Sequence, residues 1–499
     1  MANFANAVRE SARMTTTANG AKCYNTTGSK MLDLFSTAGG MRTRINDVRD
    51  AFSAAWNENP ELAIKLAFYC RDVRGGQGER DVAREMLRWV AEYHPSTMRK
   101  NLKFLPEYGR WDDIYVFVGT KVENDVWQIV REQFIEDINN VNSGKSCSLM
   151  AKWLKSVNTS SKKSVELGRL TARKLGLSYM QYQKTLAKLR KYINVTEVNM
   201  SANKWTDINY EAVPSKAMTN YRSAFARHDH EGFTDYINAV KAGEKTIKSN
   251  TLYPYDLVHQ YMGGGGMVSY RSGYYNCGGL ADKEDAVVEA QWKALPNYID
   301  GNHNVMVMAD TSGSMRGQPI ESALGLAMYF AERNSGPYKN LFMTFSSRPC
   351  YITLDEQSML GNLKKAAKAD WMGSTNLEAA FAKILKTATD NHLNDDELPK
   401  ALIIISDMQF NKSLIQGDNY FDSMKNMYAA HGYTLPHVVF WCVNAWAGST
   451  HHNNYNDYVT TFSGNAASTF RDVLGTIGYN AYEAMLKVLN GERYAQIHA

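Results

Sequence analysis

The sequence predicts two unlike halves, a run of helices followed by a doubly wound α/β domain. Three observations predict it. From about Arg42 to residue 295, apolar residues recur at helical spacing in stretches broken by glycine and proline. From about residue 300, short apolar runs alternate with amphipathic helical ones, which implies a mostly parallel sheet covered on both faces. Two of the apolar runs, 305–309 and 401–406, lead into Asp310 and Asp407, at the strand ends where such sheets present ligands. The implied division is a polar N-terminal segment over 1–40, a helical-repeat domain over 41–295 and an α/β domain over 296–499.

Taken in order, residues 1 to about 30 are polar and are expected to lack a core of their own. Asn59-Pro60 reads as an N-cap followed by proline at the first helical position. Leu62, Leu66, Ala67 and Cys70 then line one face. The stretch Arg71 to Asp81, with Gly75, Gly76 and Gly78, breaks that helix. Further breaks come at Pro95 and at Pro106 to Asp113. Short helices joined by such turns suggest antiparallel pairs stacked as a degenerate, HEAT-like α-solenoid. Between 205 and 233 an irregular aromatic segment leads into a helix opened around Pro214-Ser215. In the α/β half the expected strands are 304–309, 341–346, 350–354, 400–406, 437–444 and 459–463. The expected helices are 318–334, 357–368, 376–390, 417–430 and 468–489.

Composition narrows the class. Apolar residues make up 44% and charged residues 21%, as in ordinary globular proteins. No run is long and apolar enough to span a bilayer, and the N-terminus lacks a signal-peptide core. The six cysteines stand apart at 23, 70, 147, 277, 350 and 442 with no CxxC pair, so a reduced, cytoplasmic protein is expected. Gly144-Lys145-Ser146 imitates a phosphate loop, but residue 139 is Asn and no buried strand precedes it. Gly75 to Gly78 follows a helix, against a dinucleotide loop, and Gly263 to Gly266 reads as a flexible loop. No nucleophile–base arrangement is visible, so no enzymatic activity is expected.

Charge is uneven. The whole chain nets only +5, yet residues 151–200 hold eleven Lys or Arg against two Glu. Lys152, Lys155, Lys162, Lys163, Arg169, Arg173, Lys174, Lys184, Lys188 and Arg190 are the candidate RNA-binding residues, with Trp153, Tyr179, Tyr182 and Tyr192 interleaved. Such a tract favours polyanions, because binding releases condensed counterions. Solvated helix faces more often mix both signs.

The strand end at Asp310 continues as Asp-Thr-Ser-Gly-Ser. Small oxygen ligands at alternate positions suit a hard divalent cation, Mg²⁺ or Mn²⁺. Thr375 in a loop before a helix and Asp407 after the second strand complete three segments in a fixed order. This order resembles the metal-ion-dependent adhesion site of von Willebrand factor type A domains, which are doubly wound and Rossmann-like. The resemblance implies Asp310, Ser312, Ser314, Thr375 and Asp407 as the ligand positions. Together with the helical half, it is similar to the Ro autoantigen family, whose module is named TROVE for telomerase, Ro and vault proteins. It is more similar still to viral, bacterial and plant relatives carrying the Arg71–Asp81, Gly109–Asp113 and Val213–Ser215 motifs. The likeness implies a ring or arc of helices, a small structured or misfolded noncoding RNA as partner, and a protein carboxylate offered to the metal. It implies a monomeric ring, higher oligomers remaining open. The other reading open at this stage is a metal-dependent protein-interaction scaffold in which the basic tract is ordinary surface.

Overall fold

The structure, a computed structural model, describes all residues except 1–7, 9–11, 264–268, 272–273, 277–279, 372, 415–419, 447 and 453–458. A helical N-terminal half precedes a mostly parallel six-stranded sheet. In chain order the strands are β1 (Met14–Thr16), β2 (Lys22–Tyr24), β3 (Ser269–Arg271), β4 (Tyr274–Asn276), β5 (Val305–Asp310), β6 (Leu341–Phe345), β7 (Cys350–Thr353), β8 (Ala401–Ser406), β9 (His437–Cys442) and β10 (Val459–Ser463). The large sheet runs β10-β9-β8-β5-β6-β7, and only the β6–β7 pair is antiparallel. β5, β8 and β9 are buried at every position, which explains why their sequences are continuous apolar runs rather than alternating ones.

In the helical half, Asn59 caps the helix Pro60–Arg71 by accepting from Leu62 N, with Pro60 in the first turn. Helices Asp81–Tyr93 and Glu123–Asn142 follow the expected breaks. Pro214 precedes the helix Ser215–His228, and the 205–233 aromatics form a small core of their own around Tyr210, Phe225, Phe233 and Tyr236. His228 stacks on Trp205 with centroids 4.2 Å apart. Gly263 ends the helix Pro254–Met262 in the left-handed conformation; the rest of the glycine loop, Gly264 to Gly266, lies outside the described residues.

Two expectations change. The single helix expected over 468–489 is two, Thr469–Gly475 and Ala481–Leu489. Gly478, at φ +93°, turns the chain between them, and Asn480 with Glu483 forms a capping box that starts the second. The polar N-terminal stretch joins the common core, because Ala21, Cys23, Met31 and Leu32 are all buried. Its partners lie hundreds of residues away, around Phe410 and Thr450, and are invisible to any local pattern.

The helical half begins and ends against the α/β unit. At its start, the helix Lys30–Thr37 packs on β10, with Phe35 and Phe462 rings 5.7 Å apart. Gly39 N donates to Ser463 Oγ at 3.0 Å. A Cβ on Gly39 would sit 2.4 Å from the backbone N of Gly464, so only glycine permits this approach. At its end, the helix Pro254–Met262 packs along Gln318–Arg333. The chain then returns: Tyr494 OH donates to Asp72 at 3.0 Å, and Asn101 Nδ2 donates to His498 O at 2.7 Å. Among the described residues no helix is long and apolar enough to cross a membrane.

Candidate functional site

β5 and β8 are parallel neighbours, so Asp310 and Asp407 emerge side by side at the same edge of the sheet. Both are buried. Asp310 accepts from Ser312 N at 2.8 Å and from Ser406 Oγ at 2.5 Å. Ser312 Oγ lies 3.3 Å from Ser314 Oγ, across the turn that follows β5. Gly313 N donates to Gly373 O at 3.0 Å, which brings the loop bearing Thr375 to the same rim. Asn411 N donates to Thr375 O at 2.9 Å and ties that loop to the turn after β8. Trp446 Nε1 donates to Asp407 Oδ2 at 3.2 Å.

Burial, reinforced by the neighbouring Asp407 charge, pushes the Asp310 carboxyl up to about 7. Burial raises Asp407 too, against hydrogen bonds from Gln409 N and Ser314 that pull it down. Two buried carboxylates that discourage each other's charge, flanked by three hydroxyls, are a donor set of hard oxygens that fits a divalent cation. Among the described residues no three His, Cys, Asp or Glu side chains gather as metal ligands; this set is two carboxylates with Ser312, Ser314 and Thr375. Sequence reasoning missed Ser406 and Trp446. Ser406 adjoins Asp407 and could have been weighed, whereas Trp446 carries no local signal.

The second feature is a cavity of about 1510 Å³ between the halves. Its walls come from the helical half, from the segment 195–255 and from Gln318 to Tyr329. Cationic and aromatic side chains both line it, together with Glu79, Asp81 and Glu197. Arg110 stacks over Trp153 at 4.3 Å while pairing with Asp112 at 3.2 Å. Arg42 pairs with Glu79, and Arg71 with the buried Asp113 at 2.8 Å. Lys152 stands 5.5 Å from the Trp153 ring and makes no ion pair among the described residues; burial pushes its ammonium pKa down. Lys216 is half exposed, 3.3 Å from Asp256.

The basic tract divides. Of the ten expected RNA-binding residues, Lys152 and Arg190 line the cavity. Arg190 is committed to structure, donating to Ala151 O, Leu154 O and Ser156 Oγ within 2.9 Å. Lys155 is half-buried, 5.9 Å from the Tyr115 ring. Lys174 pairs with Glu123 at 2.8 Å and Lys188 donates to Asn142 at 2.6 Å. Lys162, Lys163, Arg169, Arg173, Lys184 and Lys188 are exposed and lie outside the cavity lining.

The family model described as "Domain of unknown function (DUF2828)" matches residues 17–153 and 147–302. The chain belongs to the DUF2828 family. A second model, "Domain of unknown function (DUF7788)", matches 304–493 and so covers the sheet and the rim bearing Asp310 and Asp407. The chain is 28% identical over 519 residues to "Uncharacterized protein L728" of Acanthamoeba polyphaga mimivirus, covering 96% of this chain and 87% of that one. Among solved structures it is similar to the Deinococcus radiodurans RO (RSR) protein at 13% identity and a TM-score of 0.41, covering 94% of this chain and 100% of that one. At that level the likeness bears on neither ligand nor mechanism.

Proposed function

We propose that this DUF2828 protein is a non-enzymatic RNA-binding protein. It holds an unpaired stretch of a small structured or misfolded RNA in the cavity between its halves, with the exposed lysines and arginines of 155–188 meeting flanking RNA. One observation carries the reading: a cavity of about 1510 Å³ whose walls combine arginine and lysine with aromatic rings, Arg110 and Lys152 both lying near the Trp153 ring. That exceeds the ~300–1,000 Å³ typical of small-molecule pockets. Aromatic faces stack bases at about 1–3 kcal/mol each, and guanidinium groups meet phosphates or ring faces. Small noncoding RNA as the ligand class comes from the resemblance of the sequence motifs to the Ro autoantigen family. The rim at Asp310, Ser312, Ser314, Thr375 and Asp407 holds Mg²⁺ or Mn²⁺ in this reading. It supplies a structural, carboxylate-binding contact rather than a step of chemistry.

The test is a titration of a fluorescent single-stranded RNA at several salt concentrations. An inner variant, Lys152→Ala with Lys216→Ala, is expected to lose about thirtyfold in affinity, since two charge-assisted contacts are each worth about 1 kcal/mol. An outer variant, Lys162, Lys163, Arg169 and Lys184 all to Ala, is expected to flatten the log–log salt slope by about 0.7 per lost phosphate contact. Unchanged affinity and slope in both variants, or no RNA bound by the wild type, overturns the reading.

A further inference from the structure

The hairpin β1–β2 lies along the metal rim. Thr17 Oγ1 donates to Phe410 O at 2.7 Å, Ala18 N to Gln409 Oε1 at 2.9 Å, and Lys412 N to Asn19 O at 3.1 Å. Gly20 bridges to Asn411. Beyond the hairpin turn, Tyr24 and Thr450 exchange two backbone hydrogen bonds of 2.8 Å, so the strap is held at both ends. What it delivers is Asn19. The Asn19 carboxamide donates to Gln409 O at 2.6 Å and reaches Thr375 Oγ1 at 3.4 Å. Gln409 N in turn donates to Asp407 Oδ1 at 3.1 Å. One side chain therefore touches both the loop of Thr375 and the turn of Asp407. Thr375 lies 356 residues further along the chain.

A carboxamide offers an oxygen as well as N–H groups, and hard divalent cations take amide oxygens readily. The Asn19 N–H groups are engaged by Gln409 O and Thr375 Oγ1, whereas its Oδ1 accepts no hydrogen bond among the described residues, so the amide oxygen remains available at the rim. We propose that Asn19 is a further residue of the metal site, closing from within the chain the edge that would otherwise stand open to another protein's carboxylate. The proposal rests on the reading of Asp310, Ser312, Ser314, Thr375 and Asp407 as cation ligands. It makes the N-terminal hairpin part of the site, although its own sequence carries no metal-binding pattern.

The experiment uses the full chain with Mn²⁺ alone as probe. Free Mn²⁺ is counted by electron paramagnetic resonance, and water access to bound Mn²⁺ by solvent proton relaxation. Asn19→Ala is expected to weaken Mn²⁺ binding about tenfold, the scale of removing a group that supports a metal site, and to raise relaxation per bound ion as water replaces the amide. Asn19→Asp, which offers a carboxylate at the same place, is expected to tighten binding. Asn19 is solvent-exposed, so circular dichroism should show both variants folded. Asp310→Ala reports on the site itself. If Asp310→Ala abolishes Mn²⁺ binding while both Asn19 variants match the wild type in affinity and relaxation, the role of Asn19 is refuted and the metal site survives. If the wild type binds no Mn²⁺, both fall together.

Discussion

Asp113 offers the sharpest test of how the helical half is held. Its Oδ2 accepts from Arg71 Nε and from Arg110 N, both at 2.8 Å, and its Oδ1 accepts from Arg84 Nε at 2.7 Å. The Arg71 and Asp113 side chains are only 3% and 2% exposed, and Arg84 is 21% exposed. Replacing Asp113 with Ala strands the buried Arg71 guanidinium, while Arg84 loses one partner and keeps its pair with Asp112 at 3.2 Å. Breaking a buried pair from one side costs about 3–5 kcal/mol, because the remaining charge has lost both water and partner. The Arg99–Asp125 pair is the internal control, at 2.9 Å with both side chains 40% or more exposed. Asp125→Ala should cost less than about 1 kcal/mol. Asp113→Asn keeps an acceptor oxygen without the charge and should fall between the two. Urea unfolding followed by tryptophan fluorescence measures all three. A loss for Asp113→Ala no larger than that for Asp125→Ala would show that Arg71 and Arg84 find other partners or water, and the reasoning fails. A combined Arg71→Met, Asp113→Leu variant should recover part of the loss, since a pair removed together leaves no orphan charge.

Three further outcomes follow from the α/β half. Mg²⁺ at a hundred times its dissociation constant should stabilise the wild type by about 2.7 kcal/mol, read as a rise in Tm, and Asp310→Ala should abolish the rise. The same variant should leave RNA affinity within about 1 kcal/mol, as expected of separate sites, and a tenfold loss would place the ion against the nucleic acid. Burial holds His437 and His451 down to about 4 and His452 to about 3, from an ordinary 6.5. The unfolded chain therefore takes up these protons first as pH falls. Stability from these groups is complete above 6.5 and is lost as pH falls towards 4, by up to about 1.4 kcal/mol per pH unit for each histidine. His437→Leu should show a shallower fall in Tm between pH 7.5 and 5 than the wild type; an equal fall would assign the acid lability elsewhere.

The parts of this molecule that were legible in the sequence are those whose causes are local. β5, β8 and β9 are buried on both faces, so an uninterrupted apolar run sufficed to place them. Asp310, Ser312 and Ser314 lie within five residues of each other, and the parallel pairing of β5 with β8 then brings Asp407 alongside. The N-terminal hairpin was not legible, because its burial comes from residues around 409–412 and 450. Charge counting found the tract at 151–191 but not its sidedness. It also passed over the cavity arginines for a physical reason. Arg71, Arg80 and Arg110 share their stretches with Asp72, Asp81 and Asp112, so those stretches look neutral, and Arg42 is offset by Glu79, 37 residues away.

The stretch Arg71 to Asp81 joins these observations. Asp72 holds the C-terminal Arg493 and Tyr494, Gly76 O accepts from Ser468 Oγ at 2.9 Å, and Gln77 Nε2 donates to Ser463 O at 3.1 Å. Gly78 O accepts from Tyr253 OH at 3.2 Å, next to the helix that returns the chain to the α/β unit. Gly78 has φ +65°, and a Cβ there would fall 1.8 Å from the Tyr253 hydroxyl, so a side chain is excluded twice over. One loop thus touches the C-terminal tail, the sheet edge and the returning helical segment, while its Arg71, Arg74 and Arg80 face the cavity. Its charged residues serve assembly and cavity together. A substitution among them changes the joint and the binding surface at once, and its effect on RNA affinity cannot be assigned to contact alone. Lys152 and Lys216 face the same cavity from other elements; Lys152 makes no ion pair among the described residues, and the half-exposed Lys216 makes one, with Asp256. They are therefore the positions at which a loss of RNA binding reports on the cavity itself.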